Sequence, residues 1–287
     1  MHELDFLRVV VDETDTCPYL PQRISRLPLC IPVLEVTGER LDALLAAGYR
    51  RSGWFYYRTR CPACSACVPL RLEVAAFAPS RSQRRARRLG DRHLQVTWGE
   101  PTIDQRRIDL FNKHRQQRGL DHEHPPATAA DYQSFLLNAS CGVLELSLHY
   151  AGELVAVSIT DVGSHSLSAV YCYFDPDYSW LGLGTYAILQ QIELAQSAIW
   201  PQSSELTSAY AAGRAEAAPA ARYGATELQP SAATTVELGS MRWLYLGLYV
   251  AENRHLNYKA RFLPHERLVE GSWRRQIRGG TSKQEML

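Results

Sequence analysis

The chain has 287 residues, enough for one large domain or two ordinary ones, and 46% of them are hydrophobic, which can supply a core. Its formal net charge is +1 at pH 7, so affinity for nucleic acid must come from local patches and not from the field of the whole molecule. No apolar stretch approaches the roughly 20 residues that span a bilayer, and the N-terminus is acidic where a secretory signal is basic. We therefore expect a soluble cytoplasmic protein.

The N-terminal part of the chain combines a turn-rich segment, a helix and an aromatic strand. Residues 17–21, CPYLP, do not fit a helix or a regular strand because of their two prolines. A helix is predicted from a cap at Thr37 or Gly38 to a stop at Gly48. Residues 52–58, SGWFYYR, predict one aromatic strand that leads towards the next motif.

Three cysteines at two-residue spacing follow this strand. Together with the remote Cys17, the thiols of Cys61, Cys64 and Cys67 supply four thiolates, a set suited to tetrahedral zinc or an iron–sulfur cluster. The second cysteine pair of a usual zinc ribbon is missing, so reduced structural thiols are the alternative. The chain has seven cysteines, an odd number, which fits a reducing compartment better than a disulfide framework. The other three are expected in the core: Cys30, Cys141 and Cys172.

A basic run begins after a short strand predicted at residues 68–74. Five arginines lie close together with no acidic residue between them: Arg81, Arg84, Arg85, Arg87 and Arg88. Guanidinium groups this close repel one another unless an anion lies across them, and phosphate is the commonest such partner. The run therefore predicts contact with RNA or DNA. A solvated basic helix start is the alternative.

The second half of the chain predicts two helices followed by a small antiparallel sheet. Helical spacing covers residues 104–119 and 129–138. Three strand-like runs, at residues 143–150, 154–161 and 167–174, are separated by tight polar turns. This pattern is typical of an antiparallel meander.

A glycine-containing turn joins the meander to another helix. The sequence WLGLGTYAILQQ passes through Gly182 and Gly184 into a helix predicted at residues 185–197. Glycines where a strand meets a helix let backbone N–H groups point at an anion. Gly182 and Gly184 are therefore a second candidate phosphate site.

The C-terminal part of the chain changes composition twice. Residues 199–240 are rich in Ala, Ser, Thr, Gly and Pro with little periodicity, which predicts a flexible insertion. A buried strand is predicted at residues 243–250 and a disordered tail at residues 279–287. We divide the chain into a cysteine-rich, basic region at residues 1–100 and a second region at residues 101–278 that contains the insertion.

Nine short blocks of this sequence are similar, in content and in order, to the aminoacyl-tRNA–protein transferases. The blocks are residues 17–21 (CPYLP), 64–71 (CSACVPLR), 77–85 (FAPSRSQRR), 158–161 (SITD), 168–171 (SAVY), 174–176 (FDP), 184–189 (GTYAIL), 245–247 (YLG) and 258–262 (YKARF). No single block is decisive, but the ordered set is specific. The chain most closely resembles the bacterial aspartate/glutamate leucyltransferases, and it departs from their pattern at residues 119–126 and in the insertion.

The resemblance implies both a fold and an activity. Periodicity supports an α+β chain, and the resemblance implies an acetyltransferase-like (GNAT) fold with an N-terminal cysteine-containing α+β region. The implied activity transfers leucine from leucyl-tRNA to the N-terminal α-amine of proteins beginning with Asp or Glu, which marks them for N-end-rule degradation. An arginyl-tRNA donor with the same acceptors stays open. So do a non-catalytic, metal-stabilised RNA- or DNA-binding module and an acetyl-CoA-dependent transferase.

Such a transferase must hold the tRNA acceptor end and recognise an acidic first residue. The five arginines, with Gly182 and Gly184, are the candidate tRNA contacts. A buried carboxylate calls for a cation of matched geometry. The candidates are Arg71, Lys259 and Arg261, each with a surface salt bridge as its alternative role.

The transferase must also orient the attacking amine and take up its proton. Asp161, at a strand end, and Tyr171 are the candidates, with a turn cap and core packing as their respective alternatives. Conversion of an ester to an amide is downhill, so we expect no required cofactor. The absence of a G-x-x-x-x-G-K-[ST] loop agrees with this.

Overall fold

The computed structural model of the chain describes residues 4–121, 124–197, 241–278 and 280–281. The insertion predicted at residues 199–240 lies outside the described residues. The same holds for most of the tail predicted at residues 279–287.

Four of the five described α-helices begin within two residues of a predicted start, and the helix that contains the arginine run was not predicted. The five helices are Gly38–Ala46 (α1), Arg81–His93 (α2), Gln105–Gln117 (α3), Ala129–Tyr132 (α4) and Leu183–Gln196 (α5). Side-chain caps fix four of the starts, because Thr37, Ser80, Asp104 and Thr128 each accept a hydrogen bond from a first-turn backbone N–H. Helix α4 continues into a π-helical turn at Gln133–Leu137, and 3₁₀ turns lie at Val74–Ala76, Pro176–Leu181 and Asn257–Arg261.

Fifteen β-strands lie within the described ranges. They are Leu7–Val11 (β1), Thr14–Thr16 (β2), Ile24–Arg26 (β3), Leu29–Pro32 (β4), Arg50–Ser52 (β5), Phe55–Tyr57 (β6), Val68–Glu73 (β7), Leu94–Gly99 (β8), Gly142–Tyr150 (β9), Glu153–Val162 (β10), Ser166–Phe174 (β11), Trp243–Tyr249 (β12), His265–Val269 (β13), Ser272–Ile277 (β14) and Gly280–Thr281 (β15). The meander predicted from the three strand-like runs is confirmed as β9, β10 and β11.

Nine strands form one mixed sheet, in the order β15-β14-β13-β7-β12-β11-β10-β9-β8. Strand β7 comes from the N-terminal region and pairs with both β12 and β13. One sheet therefore joins the two regions into which we divided the chain. Helices cover both faces of its centre, because Val157 and Ile159 of β10 pack with residues of α3 and α4 while Ser158 and Thr160 bond to Gln191 of α5.

A smaller sheet of order β1-β4-β6-β5 lies beside helix α1. The single aromatic strand predicted at residues 52–58 is wrong, because the chain turns at Gly53 and forms the β5–β6 hairpin. Gly53 has a φ of +58°, and a Cβ there would lie 2.2 Å from the Ser134 carbonyl oxygen. The close approach to Ser134 and the left-handed backbone both require glycine.

The nine-stranded sheet opens at its centre. Strands β11 and β12 are the parallel neighbours of the described sheet, and they pair only over Ser166–Ser168 and Trp243–Tyr245. The pairing register of both strands shifts just beyond this point, where β11 faces β10 and where β12 faces β7. Bulges of this kind bend a strand. The two strands therefore diverge, and a gap opens between them.

Candidate active site at the diverging strands

A cavity of about 840 Å³ occupies the gap between β11 and β12. Strand β5, helix α3, the start of α5 and the segment before the last 3₁₀ turn complete its walls. Its described lining includes five arginine and lysine side chains, of which Arg51 is paired with Asp161, and one carboxylate. The cations are Arg50, Arg51, Arg115, Arg118 and Lys259, and the carboxylate is Asp131.

The glycine turn lies at the cavity wall. Gly182 adopts a left-handed φ of +67° and starts α5 without a side-chain cap. Residues Leu183, Gly184 and Thr185 follow along the wall. The first N–H groups of a helix have no intrahelical acceptor and carry partial positive charge, so they suit an anion. Phosphate binding at Gly182 and Gly184 stays a prediction. Both glycines line the cavity.

Arg50 projects from β5 into the gap between the strands. Its Nη2 donates to the carbonyl oxygen of Val170 at 3.4 Å, and its Nε and Nη1 are buried without a hydrogen-bond partner among the described residues. Gly247 of β12, with a φ of +78°, makes room for it, because a Cβ at Gly247 would lie 1.2 Å from Nη1 of Arg50. The sequence analysis did not select Arg50.

Lys259 lies in the same gap, as one of the three cations proposed for the acceptor. Its Nζ donates to the carbonyl oxygen of Leu248 in β12 at 3.1 Å. Burial, together with the positive charge of Arg50, holds the pKa of Lys259 well below its ordinary value. Two basic side chains, Arg50 and Lys259, thus line the space between β11 and β12.

The other two acceptor candidates do not line the cavity. The guanidinium of Arg71 pairs with Glu266 at 2.7 Å and stacks over the rings of Trp243 and Trp273 at 3.7 and 4.1 Å. Arg261 is exposed at the end of the last 3₁₀ turn. Their predicted roles therefore have no support from the geometry of this cavity.

Asp161, the first catalytic candidate, is buried in an ion pair with Arg51 at 2.8 Å and does not line the cavity. Arg51 also donates to the carbonyl oxygens of Gly53, Asn138 and Leu136. Burial alone would lower the pKa of Arg51, but the charge of Asp161 raises it above its ordinary value. These contacts favour a structural role in which the pair ties β5 to β10.

Tyr171, the second catalytic candidate, does line the cavity. Its ring packs against Phe111 and Phe135 at centroid distances of 5.6 and 5.4 Å. Burial raises the pKa of Tyr171 to about 12. The hydroxyl therefore stays protonated at neutral pH and can donate a hydrogen bond, but it is poorly suited to accept a proton as a base.

Helix α2 divides the arginine run into two faces. Arg81, Arg85 and Arg88 are exposed at helical spacing, and Arg92 continues the same stripe. Arg87 instead pairs with Glu193 of α5 at 2.6 Å. A sixth arginine of this helix, Arg84, is exposed and bonds to the Pro79 carbonyl. We call Arg81, Arg85, Arg88 and Arg92 the arginine stripe.

An exposed tryptophan packs against His93, the last residue of α2. Trp180 is 52% exposed and meets His93 of α2 and Tyr150 of β9 edge-on, at 5.7 and 5.9 Å between ring centroids. Its neighbours Ser179 and Gly182 line the cavity. Sequence analysis missed Trp180, because nothing in the sequence indicates that its ring is exposed beside the basic helix.

The metal site predicted at Cys17, Cys61, Cys64 and Cys67 stays a prediction. The thiol of Cys64 accepts a hydrogen bond from Arg23 at 3.2 Å. Burial, and then the charges of the neighbouring Cys17, Cys61 and Cys64, raise the pKa of Cys67 to about 12. In residues 4–121, 124–197 and 241–278, no group of three or more His, Cys, Asp or Glu side chains is arranged to hold a metal ion.

Polar groups from distant segments complete the cavity wall. His114 of α3 is buried, and its Nδ1 accepts the backbone N–H of Phe174 at 3.0 Å. Arg118 stacks over the Phe174 ring and bonds to His255 at 2.9 Å. Gln191 of α5 lies on the opposite side. Because these groups come together only through tertiary packing, their spacing along the sequence gives no signal.

Comparison with known proteins decides the family. The model of the N-terminal part of arginine-tRNA-protein transferase matches residues 15–85, and the model of its C-terminal part matches residues 106–269. This chain belongs to that family. The chain is also 33% identical to the aspartate/glutamate leucyltransferase of Aeromonas hydrophila subsp. hydrophila, over 96% of this chain and 97% of the relative. For the protein of that name from Halorhodospira halophila, the identity is 32% over 91% and 93%.

Membership of the arginine-tRNA-protein transferase family confirms the resemblance found in the sequence. The protein is therefore a transferase, and the non-catalytic binding module is wrong as its function. Among solved structures, the ribosomal-protein-S18-alanine N-acetyltransferase from Escherichia coli has a TM-score of 0.25 and 18% identity, covering 40% of this chain and 74% of that one. A likeness this low carries no argument. No helix in the described ranges has the length and apolarity to cross a membrane.

Proposed function

We propose that this transferase moves leucine from leucyl-tRNA to the α-amine of proteins that begin with Asp or Glu. The observation that carries the proposal is the cavity beside the start of α5, whose described lining has five arginine and lysine side chains and one carboxylate. Both proposed substrates are anionic there, since the tRNA brings phosphates and the acceptor brings a side-chain carboxylate. One basic cavity therefore attracts both. The names of the relatives point to the same acceptors.

The proposed reaction makes one bond and breaks one. The α-amine nitrogen attacks the ester carbonyl carbon, an amide C–N bond forms, and the C–O bond to the terminal ribose breaks. The nitrogen loses a proton and the departing ribose oxygen gains one. An α-amine has a pKa of about 7.7 to 8.0, so roughly a tenth is neutral at pH 7. Positioning and hydrogen bonds to the developing oxyanion then supply most of the rate, and no nucleotide triphosphate or metal enters the scheme.

The cavity favours leucine over arginine as the transferred residue. Its charged lining would repel a guanidinium, while Ile188, Leu246 and Leu248 offer an apolar surface for a leucine side chain. Arginyl transfer is nevertheless the second candidate, because the matched family models carry that name. The transfer assay therefore uses both leucyl-tRNA and arginyl-tRNA as donors.

The outer face of α2 is the proposed binding surface for the tRNA acceptor arm. The arginine stripe is exposed, and Ala86 of the same helix packs beside Gly182 at the cavity wall. Trp180 packs against His93 at the end of α2 and offers a ring on which an unpaired base can stack. Arginines that contact phosphates and an aromatic that contacts a base are the usual elements of a single-strand binding path.

The proposal extends to fold and location. Two parallel strands that diverge beside the start of a helix are the arrangement expected of an acetyltransferase-like (GNAT) fold, and β11, β12 and α5 have this order. We place the protein in the cytoplasm because its proposed donor, an aminoacyl-tRNA, is made and used there. The N-terminal cysteine region is assigned no catalytic step.

The test is a transfer assay with purified protein, labelled leucyl-tRNA or arginyl-tRNA, and peptides that begin with Asp, Glu, Lys or Ala. We expect label from leucyl-tRNA on the Asp and Glu peptides only. Gly184→Trp should abolish transfer because even a Cβ there lies 3.4 Å from the Phe174 ring, whereas Gly99→Trp, with nothing within 4 Å of its Cβ, should not. Label from arginyl-tRNA alone would overturn the donor, and no transfer from either would overturn the function.

A further inference from the structure

We propose that Arg50 binds the side-chain carboxylate of the acceptor's first residue, with Lys259 as the second cation of this subsite. The inference rests on the proposed function and assigns one of its substrate contacts. It differs from the expectation drawn from sequence, in which Arg71, Lys259 and Arg261 were the candidates and Arg50 was not among them.

The geometry of β5 separates Arg50 from its neighbour Arg51. Successive side chains of a strand point to opposite faces. Arg51 therefore enters the protein core and pairs with Asp161, while Arg50 enters the gap between β11 and β12. The hairpin turn at Gly53 fixes this orientation, because its N–H donates to the Phe135 carbonyl oxygen at 3.0 Å.

Arg50 has most of its hydrogen-bonding capacity unused. A guanidinium carries five N–H donors. In the described part of the chain its one acceptor is the Val170 carbonyl oxygen, at a long 3.4 Å, and both Nε and Nη1 are buried without a partner. Buried donors without acceptors are costly and rare. A bound carboxylate would supply the missing acceptors.

The charges around Arg50 also favour binding of a carboxylate. Asp161 is close enough to Arg50 for their charges to interact, but both of its oxygens accept from Arg51. Lys259 lies on the other side, and its protonated form is disfavoured by Arg50. One carboxylate, already paired with Arg51, thus lies near Arg50, and Lys259 is next to a further positive charge. A second carboxylate between Arg50 and Lys259 would stabilise both cations.

The site is also preorganised for a carboxylate. The guanidinium lies against the backbone of β12, at a glycine that no other residue can replace without displacing it. A planar guanidinium held in place matches a planar carboxylate through paired hydrogen bonds. The phosphates of the tRNA have their own candidate positions at the arginine stripe and at the start of α5, so the gap is left for the acceptor side chain.

The test compares Arg50→Met with Arg58→Met. Arg58 is also half-buried and bonded to a carbonyl, that of Ala47, but it does not line the cavity. Loss of a charge-assisted contact typically changes affinity by roughly 10- to 100-fold. We expect Arg50→Met to raise the KM for Asp and Glu peptides by that factor, to leave the KM for leucyl-tRNA within about twofold, and to weaken the preference for Asp over Asn peptides. Arg58→Met should change none of these.

Two further variants keep the outcome interpretable. Gly247→Ala retains Arg50 but places a methyl group 1.2 Å from its Nη1, so it should also raise the peptide KM. Arg50→Lys keeps the positive charge but not the paired hydrogen bonds of a guanidinium, so it should recover part of the preference for Asp over Asn peptides. It also takes the place of Arg50→Met if that variant does not fold. Calorimetric titration of the free enzyme with Asp and Asn peptides measures the same preference without the chemical step.

The outcomes separate the two proposals. Wild-type protein that transfers no amino acid contradicts the proposed function itself. Wild-type protein that transfers normally, with an unchanged Asp-over-Asn preference in Arg50→Met, contradicts only the role of Arg50. A rise in the KM for leucyl-tRNA instead of the peptide would place a tRNA group at Arg50 and would equally reject the carboxylate subsite.

Discussion

Two neighbouring arginines on β5 illustrate two uses of the same side chain. Arg51 is fully buried and is satisfied by Asp161 and three backbone carbonyl oxygens. Arg50 has one long hydrogen bond and two buried donors without partners. The described residues supply hydrogen-bond acceptors for Arg51. They supply none for two buried N–H groups of Arg50.

The same contrast distinguishes cations elsewhere in the molecule. Arg71 pairs with Glu266 and is enclosed by aromatic rings, and Arg87 pairs with Glu193. Within the described ranges, no carboxylate pairs with Arg81, Arg85 or Arg88 of the arginine stripe. A cation satisfied by its own chain is best explained by stability, and one left unsatisfied is the better candidate for an anionic substrate.

The largest expected effect concerns the satisfied pair. Asp161→Asn keeps the shape of the side chain but leaves Arg51 buried without its counter-charge, so we expect the free energy of unfolding to fall by about 3 to 5 kcal/mol. Asp177→Asn breaks an exposed pair with Lys113 and should cost less than about 1 kcal/mol. Urea unfolding of both variants measures the difference. If Asp161→Asn stays as stable as the control but loses kcat, the catalytic role first predicted for Asp161 is supported instead.

A smaller effect on the free energy of unfolding is expected from His114, which lines the cavity and is neutral at pH 7. Burial, and then the charges of Arg118 and His255, lower its pKa from 6.5 to about 4. Because the unfolded chain binds this proton more tightly, stability is complete above pH 6.5 and is lost as the pH falls towards 4. We expect a loss of about 2 kcal/mol between pH 7 and pH 5 from this group.

Urea unfolding at the two pH values checks this expectation. His114→Asn, whose side-chain oxygen can still accept the Phe174 N–H, should remove this part of the pH dependence. Exposed His124→Asn should leave it unchanged. Equal pH dependence in wild type and His114→Asn would show that His114 does not resist protonation in the folded protein.

Trp180 extends the comparison from unpaired charges to an exposed aromatic ring. Its ring is half-exposed beside the arginine stripe, and loss of a stacked base typically changes binding by about tenfold. Trp180→Ala should raise the KM for leucyl-tRNA by that factor and leave the peptide KM unchanged. Trp180→Phe retains an aromatic face and should restore most of the affinity. A purely structural role would instead lower stability without a selective effect on tRNA.

The smallest effect compares a paired with an unpaired arginine on one helix. Arg88→Gln removes an exposed cation of the stripe, whereas Arg87→Gln removes one already paired with Glu193. Each lost phosphate contact lowers the slope of log affinity against log salt by about 0.7 to 0.9. We expect that reduction for Arg88→Gln and none for Arg87→Gln, as measured by tRNA binding across a salt series. Equal slopes in the two variants would reject the stripe as the tRNA surface.

The sequence by itself determined the local elements and the family. Strand-like runs separated by polar turns predicted β9, β10 and β11, a cap at Thr37 or Gly38 predicted α1, and nine ordered blocks identified the transferase family. These features are local, because each depends on residues only a few positions apart. The one wrong strand, at residues 52–58, failed because the requirement for glycine at position 53 comes from Ser134, far along the chain.

Only the tertiary structure decided which charged groups belong to the site. Arg50 and Arg51 are equivalent in composition and spacing, and the residue that pairs with Arg51 lies 110 positions away. Likewise, the glycine that admits Arg50 is in β12, and Arg87 differs from the exposed arginines of α2 because Glu193 of α5, together with Asp91 of its own helix, pairs with it. Whether a cation is neutralised depends on strand register and helix packing, which bring distant residues together and which no local pattern records.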